Sequence, residues 1–168
     1  HAALTPKDFN VCYAVKTLSD KVEAMALSSD APCTTWSDTD DIFVSLEAAV
    51  TRRDSDGGYF NPAEAVSIGT ALSLYTSRAA LVMPERGIVG AIEPGARANF
   101  ITLSANPFMS APSKLRDLRV RGVWKDGKRL DGKRTRLNSS HTETAYAVFG
   151  LYKKKKPKYA KQSRTTNN

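Results

Sequence analysis

The sequence predicts an α/β fold. A helix–strand–loop–helix unit of the kind that builds parallel sheets comes first, and a set of antiparallel strands follows it. Three observations carry that expectation. Two segments, one over roughly 7–20 and one after Thr39, combine cap residues with helical spacing of apolar side chains. Between them the run "VEAMAL" is short and apolar without strict alternation, which suits a strand covered on both faces. After Pro84 the texture shifts to short alternating runs broken by "EPG", "ANP" and "KDGK".

Taken in order, Thr5 stands as an N-cap before Pro6, with Asp8 in the first turn. Val11, Ala14, Val15 and Leu18 then mark one helical face, so the spacing predicts a helix over 7–20. The expected strand at Val22–Leu27 gives way to the polar loop "SSDAPCTTWSD". A second helix follows Thr39 as cap, with acids at its start and Arg52 and Arg53 at its end, matching the macrodipole. "DSDGG" reads as a flexible loop. Asn61 as cap and Pro62 at the first position open further helix in at least two pieces, with Ser67 and Thr76 as later caps. "LRVRGVWKDGKRL" reads as a hairpin turning at Asp126-Gly127.

The 168 residues suffice for one domain with a real core, and 41% hydrophobic with 25% charged residues is ordinary for a globular protein. No apolar run is long enough to suggest a membrane span. The opening "HAALTPKDFN" has neither the basic nor the apolar region of a signal peptide. Cys12 and Cys33 make neither a disulfide framework nor a metal knuckle. The net charge of +8 is unevenly placed: residues 133–168 hold ten Lys or Arg against Glu143 alone, a net of +9. Residues 1–132 hold 15 basic and 16 acidic residues, a net of −1, and give no electrostatic case for nucleic acid.

One carboxylate raises a chemical question. Asp30 sits in "SSDAPC", where the apolar run ends in a Pro-containing loop. Taken alone, such a residue reads as a helix cap or turn residue, with a metal-binding catalytic base as the sharper alternative. Cys33 lies in the same loop without an identifiable base, so a nucleophile role is not expected.

Five collinear stretches bear on that choice. They are "YAVKTLSDKVEAMALSSDAP", "FVSLEAAVTRR", "IGTALSLYTSRAA", "GIVGAIEPGARANFITLSANPF" and "LRDLRVRGVWKDGKRL". Together they resemble the C-terminal end of the amidohydrolase superfamily, in its amidohydrolase-3 branch of N-substituted formamide deformylase-like enzymes. The resemblance implies the end of a metal-dependent-hydrolase TIM barrel, with its last strand and helices over 1–84. The antiparallel strands of a small composite β-sandwich would occupy 85–132. It implies that Asp30 follows the eighth barrel strand, ligates a divalent metal, zinc foremost, and acts as general base. Barrel active sites do lie at the C-terminal ends of strands. Ser29 and Trp36 are the expected substrate-proximal neighbours, Trp36 for its large amphipathic ring, with support of the loop backbone by Ser29 and packing of Trp36 against the barrel rim as the alternatives. Glu93-Pro94-Gly95 reads as a tight turn without a chemical role. Asn99 departs from the family's Asp at that place, which puts local hydrogen bonding in doubt rather than catalysis.

The superfamily's other metal ligands are a His-x-His pair, a Lys or Glu and two later histidines, and they have no counterpart here. The histidines are His1 and His141. The expectation is therefore the C-terminal part of an enzyme acting on a small amide-type substrate, inactive by itself, with no membrane partner and with self-association open. Rival readings are a non-catalytic scaffold module and a nucleic-acid binder working through Lys153–Lys158. The tail 133–168 stands apart. "TRLNSSHTETAYAVFGLYKKKK" resembles sequencing-adapter DNA read through as protein, and the alternative is a basic, disordered tail contacting anionic partners.

Overall fold

The computed structural model describes residue 8, residues 11–29, 41–84 and 87–130, and the backbone of 147–149. Helix α1 spans Val15–Lys21, α2 Ile42–Thr51, α3 Ile68–Tyr75 and α4 Ser77–Ala80. Tight 3-10 turns at Pro62–Glu64, Pro107–Met109 and Pro112–Asp117 each begin on a proline. Its fixed φ and missing N–H suit a first helical position. One antiparallel sheet holds β1 (Phe100–Leu103), β2 (Val120–Lys125), β3 (Lys128–Arg129) and β4 (Ala147–Phe149), in the order β3-β2-β1-β4.

Among the described residues the helix expected over 7–20 is interrupted: Asp8 is helical, and a turn at 11–13 precedes the helix from Val15. The N–H groups of Val11 and Cys12 donate to the Asp8 carbonyl at 3.1 and 3.0 Å, closing a turn. Tyr13 then adopts a left-handed φ of 49°, and helix resumes only at Val15. Thr5, Pro6, Lys7, Phe9 and Asn10 lie outside the described residues. Both ends of α1 are held by charge of the favourable sign. At its start the Thr17 N–H and hydroxyl donate to the Glu64 carboxylate, the amide at 2.8 Å. At its end the Arg78 guanidinium donates to the carbonyls of Ser19 at 2.7 Å, Glu23 at 3.0 Å, and Val22.

The expected strand at Val22–Leu27 is extended chain without a ladder among the described residues. Met25 and Leu27 pack on the core while Val22, Ala24 and Ala26 face solvent, and the Leu27 N–H donates to the Leu74 carbonyl at 3.0 Å. A parallel strand needs neighbours to accept its backbone bonds. With none beside it among the described residues, the run buries one face only, and the sheet that does form is antiparallel.

Helix α2 starts two residues past Thr39: Asp41 is the cap, its Oδ1 accepting the Phe43 N–H at 2.9 Å. Phe43, Leu46 and Ala49 face inward, and so does Glu47, which pairs with Arg116 Nε at 2.9 Å and accepts the Arg116 N–H at 3.1 Å. That pair seats the 112–117 turn on the helix. Arg52 closes α2 with φ 54°, and its Nε donates to the carbonyls of Phe60 and Asn61 at 3.0 and 3.3 Å. Its charge therefore draws the following loop back rather than simply complementing the dipole. "DSDGG" is a hydrogen-bonded turn, with Asp54 Oδ1 accepting the N–H groups of Asp56 at 3.0 Å and Gly58 at 2.7 Å.

Ser67 caps α3 as expected, accepting the Thr70 N–H at 3.0 Å. Asn61 does not cap with its side chain, which donates from Nδ2 to the Cys12 carbonyl at 3.3 Å. Thr76 separates α3 from α4 and sends its hydroxyl back to the Leu72 carbonyl at 2.8 Å. The stretch 88–98 forms successive turns rather than a strand. Within it the expected turn at Glu93-Pro94-Gly95 is present, with Gly95 at φ 92° and the Ala96 N–H on the Glu93 carbonyl at 3.1 Å.

The predicted hairpin is also present. Asp126 and Gly127 adopt φ of 50° and 74°, the paired positive values of the turn whose twist matches antiparallel strands. Trp124 stacks across the ladder on Phe100 at 4.9 Å. The core joins Phe43, Leu46 and Ala49 to Leu72 and Leu74 and then to Ile101, Leu103, Leu115 and Leu118. Leu46, Leu74 and Leu115 are buried completely or nearly so, each contributing about 2 kcal/mol of burial free energy.

Candidate functional site

A cleft of about 570 Å3 opens between the end of the 22–29 run, helices α3 and α4, and the β1–β2 face. Its size falls within the range of small-molecule sites, about 300–1,000 Å3. Leu27, Ile42, Met83, Phe100, Val123 and Trp124 supply apolar wall, while Ser28, Ser29, Tyr75, Arg97, Asn99 and Lys125 supply polar groups.

The polar groups differ in what they are free to do. Arg97 forks onto Asp126 at 2.8 and 2.9 Å, which ties it to the hairpin turn. That pairing holds the Asp126 carboxyl below the usual carboxylate range. Asn99 Oδ1 accepts the Asp126 N–H at 2.7 Å. A carboxylate could accept the same bond, so the departure from the family's Asp is accommodated here without loss of an acceptor. Burial pushes the Tyr75 phenol pKa up, keeping it protonated.

Of the residues expected at the site, Ser29 lines the cleft. Asp30, Cys33 and Trp36 lie outside the described residues, as do His1 and His141. Sequence reasoning misses Tyr75, Arg97 and Trp124 as cleft residues: each lies in a stretch that carries the family resemblance, but the three stand on separate segments and nothing local marks them for the cleft. Only the tertiary fold, which sets the end of α3, the 88–98 turns and β2 around one cleft, brings them together.

Zinc takes three or four protein ligands. Among the described residues no three His, Cys, Asp or Glu side chains gather. The described residues therefore do not fit a metal centre by themselves. No helix among them is long and apolar enough to cross a membrane.

Residues 2–131 match the family model described as "Amidohydrolase family". The chain belongs to the amidohydrolase family. Within it, the chain is 33% identical over 115 residues to the N-substituted formamide deformylase of Arthrobacter pascens, covering 68% of this chain and 20% of that protein. It is 31% identical over 112 residues to YtcJ of Bacillus subtilis, whose name assigns it provisionally to the amidohydrolases. That match covers 65% of this chain and 20% of YtcJ. The chain thus spans about one fifth of the length of these curated relatives. No solved structure matches it.

Proposed function

We propose that these residues are the C-terminal part of an amidohydrolase that cleaves a non-peptide C–N bond, of amide or formamide type, in a small molecule. The observation that carries this reading is the match over 2–131, within which a named formamide deformylase is a relative. In this reading 1–84 belongs to the end of a TIM barrel and 85–132 to a β-sandwich. Asp30 is the general base, accepting the proton of an attacking water and returning it to the departing nitrogen. Ser29, on the cleft wall, and Trp36 sit near the substrate. The cofactor is a divalent metal, zinc foremost, with Asp30 as one ligand and the remaining ligands supplied by the rest of the longer protein.

Two measurements test this. The DNA upstream of the His1 codon is expected to encode a His-x-His strand and further ligands in the same frame; a complete reading frame lacking them would sink the reading. In the full-length enzyme, Asp30→Asn is expected to lower kcat on an N-substituted formamide by about a hundredfold or more with the fold retained. Turnover near the parent's value would take the role of base away from Asp30.

A further inference from the structure

We propose that the cleft between the 22–29 run, helices α3 and α4 and the β1–β2 face is a binding site for a small amphipathic anion, a carboxylate carried on an apolar chain. The inference rests on the cleft's own walls. It is independent of the reaction proposed above, whose substrates are neutral amides.

The walls give the first argument. Leu27, Ile42, Met83, Val89, Phe100 and Trp124 line the cleft and are each only partly buried. Val123 and Leu130 beside them are 38% and 51% exposed. Apolar side chains from separate segments thus face a shared space of about 570 Å3 without covering one another. An apolar chain entering there takes both its own surface and theirs out of water. Two contacts hold the walls in shape. Trp124 stacks on Phe100 at 4.9 Å, and the backbone at Gly90 lies so close to α4 that a Cβ there would come 2.6 Å from that of Ala80.

Charge gives the second argument. Among the described residues no Asp or Glu lines the cleft, whereas Arg97 and Lys125 both do. Asp126 follows Lys125 in the chain, but Arg97 grips its carboxylate with two bonds, at 2.8 and 2.9 Å, and the two charges offset each other. Lys125 forms no ion pair among the described residues, and Lys128 stands opposite it on the β2–β3 ladder. The charge left uncompensated beside the hairpin turn is therefore positive. It favours an anionic head over a neutral one and opposes a cationic one. The Lys125 ammonium carries three donors on a rotatable stem, so it can meet a carboxylate at the cleft mouth while the apolar chain lies along the walls.

Binding is read from the fluorescence of Trp124 in the 168-residue chain carrying Trp36→Phe, which leaves a single indole. Octanoate is expected to change that emission saturably and to bind about fivefold tighter than octanamide, which has the same chain and no charge. Octylamine is expected to bind weakest. The preference for octanoate should shrink as salt rises, because the lysine that carries it is exposed. Lys125→Gln is expected to bring octanoate down to the octanamide value while leaving octanamide unchanged. Ala79→Leu, which narrows the cleft, is expected to weaken both ligands. Should that variant unfold the chain, Met83→Gln makes the wall polar and serves the same comparison. Octanamide or octylamine binding as tightly as octanoate overturns the proposal, and so does a preference that survives Lys125→Gln. Octanoate that leaves the Trp124 emission unchanged, or whose affinity ignores both wall variants, overturns it as well.

Discussion

Glu64 ties two distant segments together through one carboxylate. Its oxygens take the hydroxyl and the amide of Thr17 in the first turn of α1, and the 3-10 turn that carries it follows Pro62. The Thr17 hydroxyl, then its amide, hold the Glu64 carboxyl below its ordinary 4.5. A lowered folded-state pKa means that the ionised form stabilises the fold. That contribution is complete above the unfolded value and disappears as pH falls through the folded one. The thermal midpoint of the chain is therefore expected to drop as the solution is taken from about pH 5 to about pH 3. Glu64→Gln, whose amide oxygen still accepts from Thr17 but does not titrate, is expected to flatten that slope. Asp126, lowered by Arg97 in the same direction, sets the slope that remains. Indistinguishable acid profiles for the two proteins would show that Glu64 does not carry the effect.

At the scale of elements, two glycines of the β2–β3 hairpin separate steric from conformational cost. A Cβ on Gly122 would lie 2.5 Å from two ring atoms of Trp124, which leans over it to stack on Phe100. A Cβ on Gly127 would meet Ala98 at an ordinary 3.8 Å, so its cost comes from the left-handed φ of 74° alone. Urea unfolding is expected to show a loss of about 1 kcal/mol for Gly127→Ala. Gly122→Ala is expected to lose about 1–3 kcal/mol. In a Trp36→Phe background, the near-UV circular dichroism of Trp124 is expected to collapse only in the Gly122 variant. The same hairpin shows what a sequence makes legible. Its turn, the Ser67 cap and the Glu93-Pro94-Gly95 turn depend on residues within four positions of one another, and all three stand where the sequence places them. The helix over 7–20 and the strand at 22–27 depend on partners elsewhere, and among the described residues neither forms as the local pattern suggests. The site follows the same division. Asp30 and Ser29 stand out because the family resemblance assigns them a place at the site, while Tyr75, Arg97 and Trp124 lie in resembling stretches without such an assignment and meet only where the tertiary fold lines one cleft.

For the whole molecule, the balance between one carboxylate and a metal centre decides what the chain does unaided. A zinc site needs three or four protein ligands. The described residues bring no three candidate ligands together, and Asp30 is one group. Binding that favours the native state raises stability by an amount that grows with ligand concentration over Kd. Under the proposed reading, in which Asp30 is one ligand of a site completed elsewhere, this chain offers little of that energy. The 168-residue chain, given an equivalent of zinc and then dialysed, is expected to retain far less than one equivalent. Its thermal midpoint is expected to stay where it was. In the same preparation an N-substituted formamide is expected to be hydrolysed no faster than in buffer with zinc alone. Turnover well above that control, with stoichiometric zinc retained, would mean that this chain assembles a complete centre. The reading of it as one part of a longer enzyme would then fall.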